Sequence, residues 1–152
     1  MKRKLVVFLL VLAMAISVAS VSAFADNDGI SAHASPTLTT INSFRIYSPY
    51  SSTYITINVT EDYIGFNHIS TGSKVKACQG YTKACGADPG TIYGIWGQNS
   101  ETALRAAQQT MHDYGYTVIT SDGVCGPNTW RGFYSYCGGV PASVRNAVFN
   151  GV

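Results

Sequence analysis

The chain reads as a mostly α fold: a three-helix bundle with a small N-terminal β extension, stapled by disulfides. Three observations predict this. The first is an internal repeat with an offset of 29 residues. Val75-x-x-Cys78-Gln79 returns as Leu104-x-x-Ala107-Gln108, and Gly86 returns as Gly115. Gly94-Ile95-Trp96-Gly97-Gln98-Asn99-Ser100 returns as Gly123-Val124-Cys125-Gly126-Pro127-Asn128-Thr129. No gap is needed, because Gln79 to Gly94 and Gln108 to Gly123 are both steps of fifteen. A repeated helix-plus-glycine-loop unit builds one small fold twice, neither half burying its apolar face alone. The second observation is strict alternation along Tyr54-Ile55-Thr56-Ile57-Asn58-Val59-Thr60, the period of a half-buried strand. The third is an even set of four cysteines in a chain that opens like an export signal.

The elements follow in chain order. Lys2, Arg3 and Lys4, the apolar run Leu5 to Ile16 and the small-x-small Ala23-Phe24-Ala25 predict a signal peptide over 1–25, cut before Asp26. The apolar run is short for a helix crossing about 30 Å of hydrocarbon, and no later segment predicts a membrane span. Residues 26–42 are polar and without period, and read as a flexible tail. Residues 43–71 read as a β-rich extension. Phe44 to Tyr47 is one short strand, Tyr54 to Thr60 a second with Ile55, Ile57 and Val59 on one face, and Tyr63 to Ile69 a third. Helix one runs from Ser73 to Cys85, with Val75, Cys78, Thr82 and Cys85 at helical steps, and stops at Gly86. Helix two starts at Ser100 as N-cap with Glu101 in its first turn. Its inward stripe is Ala103, Leu104, Ala107 and Met111, with Tyr114 next in step, and Gly115 ends it. Helix three opens at Thr129, carries Trp130, Phe133, Tyr134 and Tyr136, and stops at Gly138-Gly139. Residues 138–152 are a C-terminal tail or a short helix, with Val144 and Val148 at helical spacing.

Charge and cysteines narrow the chemistry. The whole chain carries +2, with ten basic and eight acidic residues. Removing Lys2, Arg3 and Lys4 leaves seven basic against eight acidic, a net charge of −1. That argues against a nucleic-acid partner. Few charges and many Tyr, Ser and Thr suit a ligand read by stacking and neutral hydrogen bonds. Cys78, Cys85, Cys125 and Cys137 predict two disulfides. Cys78 and Cys85 share helix one about 10 Å apart, too far for a bridge. Two pairings survive: 78–125 with 85–137, or 78–137 with 85–125. The inward positions of Cys78 and Cys125 favour the first. Zinc is the competing reading, but C-x-x-C spacing is absent and no histidine stands in a ligand pattern, so no metal and no cofactor is expected.

The segment Gly72 to Phe133 resembles the peptidoglycan-binding-like domain, a three-helix module of secreted cell-wall enzymes. An apolar-x-x-Leu-Gln run of that family is Val75-Lys76-Ala77-Cys78-Gln79 here. Its Gly-Ile-Phe-Gly loop and following Thr-x-x-Ala-Val-x-x-Phe-Gln are Gly94-Ile95-Trp96-Gly97 and Ser100-Glu101-Thr102-Ala103-Leu104-Arg105-Ala106-Ala107-Gln108. Its closing Asp-Gly-Ile-Val-Gly-Pro-x-Thr-Trp is Asp122-Gly123-Val124-Cys125-Gly126-Pro127-Asn128-Thr129-Trp130. The resemblance covers about half of the chain after residue 25 and implies a domain over 72–137. Departures are Cys78 for Leu, Cys125 for an apolar residue, Tyr93 for an Asp, Ala107 for a Phe, and a longer Gly115-to-Asp122 connection. A pocket left by Ala107 is expected to be filled by Trp96 or by the N-terminal strands.

The resemblance implies a secreted, non-catalytic bacterial protein that binds peptidoglycan or its fragments in a shallow groove near the loops and helix starts. The expected contact residues are Tyr93, Trp96, Gln98, Asn99, Tyr114, Tyr116, Asn128 and Trp130. Of these, Tyr93, Tyr114 and Tyr116 are the better candidates for an exposed aromatic patch, whereas Trp130 also reads as core. Gln79 and Gln108 are expected to tie the loops to their helices, and Asp122 to bond turn N–H groups. The glycine loops lack the lysine of a phosphate cradle. His33, His68 and His112 form no catalytic pattern, and Glu61-Asp62 reads as a solvated turn pair. The alternatives are a protein-interaction or inhibitory module acting on a cell-wall enzyme, and a small lytic enzyme or its activator.

Overall fold

A computed structural model describes residues 36–48 and 52–150. The expected leader, residues 1–25, and the tail as far as 35 lie outside the described residues. Two strands, β1 (Ser43–Ser48) and β2 (Thr53–Asn58), pair antiparallel with Phe44 opposite Ile57 and Ile46 opposite Ile55. Period two sends Phe44, Ile46 and Ile57 into the core and leaves Arg45, Tyr47 and Tyr54 outside. On that outer face the Arg45 guanidinium lies 3.9 Å from the Tyr54 ring centre. The expected third strand is present only as isolated bridges, Ile64 with Ile69 and Cys125, and Thr71 with Ile95.

Four helices follow: α1 (Ser73–Ala84), α2 (Gln98–Asp113), α3 (Pro127–Tyr136) and α4 (Ala142–Asn150). The chain is mostly helical, with four helices described rather than three. Helix α1 turns Val75, Cys78 and Thr82 inward, and α2 buries Ala103, Leu104, Ala107 and Met111. Helices α2 and α3 start two residues before Ser100 and Thr129. Their N-caps are Gly97 and Gly126, with no side-chain capping bond. The hydroxyls of Ser100 and Thr129 accept bonds from buried glutamines instead. Pro127 opens α3 at the position where a missing N–H costs nothing. Helix α4 packs on α1 at Gly80, where a Cβ would stand 3.3 Å from that of Ala147.

One core joins hairpin and helices. Tyr81 stacks on Phe133 at 5.3 Å, and Phe44 meets Trp130 edge-on at 5.9 Å. Tyr81 donates its hydroxyl to Gly139 O at 3.0 Å, and burial pushes that phenol well above its ordinary value. Trp130 donates its indole N–H to Asp62 O at 2.6 Å. The Asp62 carboxylate, buried rather than solvated as expected, accepts from Asn58 N and Lys74 Nζ. Residues 36–42 are anchored, not loose. Thr39 N donates to Ser135 Oγ at 2.9 Å, Arg131 Nε donates to Ile41 O at 3.1 Å, and Leu38 and Ile41 pack against the core.

The four cysteines expected in two disulfides are free thiols in the structure. Cys85 Sγ and Cys137 Sγ stand 4.0 Å apart, a hydrogen-bonding contact rather than a covalent one. That bond raises the Cys85 thiol and holds Cys137 below its ordinary value. Burial, followed by a hydrogen bond with Cys78, pushes the Cys125 thiol up. Among the described residues no helix is long and apolar enough to cross a membrane.

Candidate functional site

Two buried glutamines build the site. Gln79 on α1 donates Nε2 to Ile95 O at 3.0 Å and to Ser100 Oγ at 2.9 Å, while Gly94 N donates to its Oε1 at 3.1 Å. Gln108 on α2 donates Nε2 to Val124 O at 2.9 Å and to Thr129 Oγ1 at 3.0 Å, while Gly123 N donates to its Oε1 at 2.9 Å. Every partner in the second set lies 29 residues beyond its counterpart in the first. A buried amide left unpaired would cost about 1–3 kcal/mol, so these bonds hold each loop in one shape. Gly94 and Gly123 have φ of 74° and 76°, a conformation glycine adopts without penalty. A basic side chain lies over each, the Lys76 stem at Gly94 and the Arg105 guanidinium, beside Glu101, at Gly123. Just ahead of each helix the loop backbone bridges to the preceding segment, Trp96 N to Ser70 O and Cys125 N to Ile64 O.

The second loop carries an added brace. Asp122 Oδ1 accepts from Gln108 Nε2 and Val124 N, and Oδ2 accepts from Thr120 Oγ1. This is the turn role expected of it. The loop borders an open groove of about 320 Å³, lined by Tyr63, Val118, Thr120, Asp122, Val124 and residues 126–129. Tyr63 forms one apolar wall, held against Gly126 and meeting the tilted His68 ring at 5.6 Å. Val118 is more than half exposed and forms another. Asn128 donates to Val118 O at 3.1 Å and so closes the 115–122 connection over the start of α3.

The expected contact residues divide. Asn128 lines the groove. Tyr93, Gln98, Asn99 and Tyr114 are exposed, but none of them lines it. Tyr93, Gln98 and Asn99 sit on the first loop and the start of α2. Tyr114 joins Tyr116 and Tyr136 in a cluster beyond the other end of α2. Trp130 is fully buried and Tyr116 is 6% exposed, so neither offers an open ring face. Trp96 is buried as well, in the same core as Ala107, and its indole N–H has no acceptor among the described residues. Tyr63, Val118 and Thr120 were not expected. The one signal for them was the long Gly115-to-Asp122 connection, which supplies Val118 and Thr120.

The groove brings together hydroxyl, amide and carboxylate acceptors beside two apolar surfaces. Its one carboxylate is engaged in its own turn. The His68 ring lies tilted against Tyr63, and His112 lies 3.4 Å from Asp113 on the surface of α2. His33 lies outside the described residues. No three His, Cys, Asp or Glu side chains are grouped to hold a metal ion among the described residues. Comparison with known families, curated proteins and solved structures found no match to this chain.

Proposed function

We propose that the chain is an exported, non-catalytic protein that binds bacterial cell-wall peptidoglycan or its fragments. The carrying observation is the groove at the start of α3. Its hydroxyls and amides can pair with sugar hydroxyls and acetamido groups, and its Tyr63 and Val118 walls can cover apolar sugar faces. The duplicated loop wiring supports a peptidoglycan-binding-like domain built twice from a 29-residue unit. In this reading Cys78 bonds Cys125 and Cys85 bonds Cys137. Each pair loses two protons and two electrons to a disulfide-bearing oxidant after export. The adjacency of the partner thiols supports that pairing over the alternative. Non-reducing peptide mapping of the exported protein checks it, and a Cys85–Cys125 peptide would overturn it.

The function is tested by sedimenting the oxidised protein with insoluble peptidoglycan, against cellulose and chitin, while assaying released muropeptides. Selective retention without release is expected. Binding at the groove should persist in high salt, because screening removes only charge-based attraction. A second reading, a module that docks on a cell-wall enzyme, is favoured by the exposed apolar side chains of Phe66 and Val118. Absence of retention would transfer the function to that reading. Release of fragments would make the protein lytic.

A further inference from the structure

The first loop has the backbone of the second but a different surface, and its Tyr93 and Ile95 are exposed among the described residues. Tyr93 and Ile95 are 68% and 64% exposed on a segment held rigid from beneath by Gln79. Large apolar side chains on a fixed, open loop are a costly surface for a protein to leave bare, and they mark interaction sites. Two polar groups belong to the same loop and the helices it joins. The Lys76 stem crosses Gly94, with Cγ 2.7 Å and Cε 3.2 Å from where a Cβ would stand. Its ammonium has no ion pair or hydrogen bond among the described residues. Asn99, at the start of α2, leaves its amide equally unengaged. Its counterpart Asn128 is tied to Val118 O.

We propose that Tyr93, Ile95, Asn99 and Lys76 form a second ligand face, which takes a carboxylate-bearing segment of the same amide-rich sugar polymer. The inference rests on the wall-binding reading. Charge complementarity selects the occupant. A lone ammonium beside an aromatic and an aliphatic side chain matches a carboxylate next to a sugar or short peptide, and the free Asn99 amide matches an acetamido or peptide group. Two faces on one rigid domain make binding to a polymer bivalent, so retention on the wall exceeds affinity for a single fragment by about 10²-fold.

The test uses the full oxidised protein, a soluble disaccharide-peptide fragment, its carboxyl-amidated form and insoluble peptidoglycan. Amide NMR shifts are followed at both loops. The fragment is expected to move Tyr93 and Ile95 as well as Val118 and Asn128, with two bound per chain. The double variant Tyr93→Ala, Ile95→Ser should lose at least about tenfold in wall retention while the Val118 and Asn128 shifts persist. Lys76→Gln should weaken binding of the carboxylate fragment at the first loop and leave the amidated one unchanged. Shifts at Val118 and Asn128 alone, with one fragment per chain, would overturn the second face and leave the groove reading intact. Silence at both loops together with no wall retention would overturn both.

Discussion

Ahead of the second loop stands Asp122; 29 residues earlier the first loop has Tyr93. Asp122 folds back on its own turn, is gripped by Gln108, and leaves the loop to border a groove. Tyr93 cannot make those bonds, so its ring stands out in water. The inward-facing residues diverge too. Cys125 is fully buried against Cys78, whereas Trp96 fills its place in the first loop and leaves an N–H unpaired. Loop shape in this protein comes from the glutamine beneath and the glycine within. Loop surface comes from the residues on either side, and the two vary independently.

Substitutions that remove the shared cage should act hardest. Gln108→Ala is expected to cost about 3 kcal/mol in urea unfolding, and Gln79→Ala about 2, because Gln108 also holds Asp122. Equal costs would mean that the Asp122 brace adds nothing. The glycines come next. Gly94→Ala should cost about 2 kcal/mol and Gly123→Ala about 1, since both need a positive φ but the former also meets backbone. At Gly94 the new Cβ would stand 2.8 Å from the carbonyl oxygen of Gly72, whereas at Gly123 it meets the flexible side chains of Glu101 and Arg105. The reverse order in thermal unfolding would break this account.

The tryptophans give the most pointed contrast. Trp130→Phe loses the bond to Asp62 O and should cost about 1.5 kcal/mol. Trp96→Phe removes a buried donor that has no acceptor among the described residues, so it should cost less than Trp130→Phe, with only the lost indole volume to set against it. A loss at position 96 as large as that at 130 would show that the Trp96 N–H is satisfied in solution.

Much of the scaffold is legible in sequence because burial follows period. The Ala103, Leu104, Ala107, Met111 stripe and the Ile55, Ile57, Val59 face both turn inward, although Ile55 is only half buried. Helix starts are less legible. Ser100 and Thr129 look like caps, but each sits at the third position of its helix, behind the glycine that precedes it, and turns its hydroxyl to a buried glutamine instead. Aromatic residues are the least legible. Tyr116 and Trp130 have the same chemistry whether inside or out, and for Trp130 the arrival of Phe44 on the hairpin helps to cover it. The groove was hidden for a related reason. Val118 is an ordinary apolar residue until the 115–122 connection is pinned by Asn128.

The hairpin at the front of the described chain rests on residues near its far end. Phe44 packs on Tyr134, and α4 touches both β1 and α1. Such sequence-distant contacts form late, because a long loop must close before they return any stability. While the chain is being made, its first strands can pair with each other and meet Tyr81, but their packing is complete only when Trp130, Tyr134 and α4 arrive. A rapid-mixing experiment should therefore find helical signal rising before the Trp130 fluorescence change that reports closure.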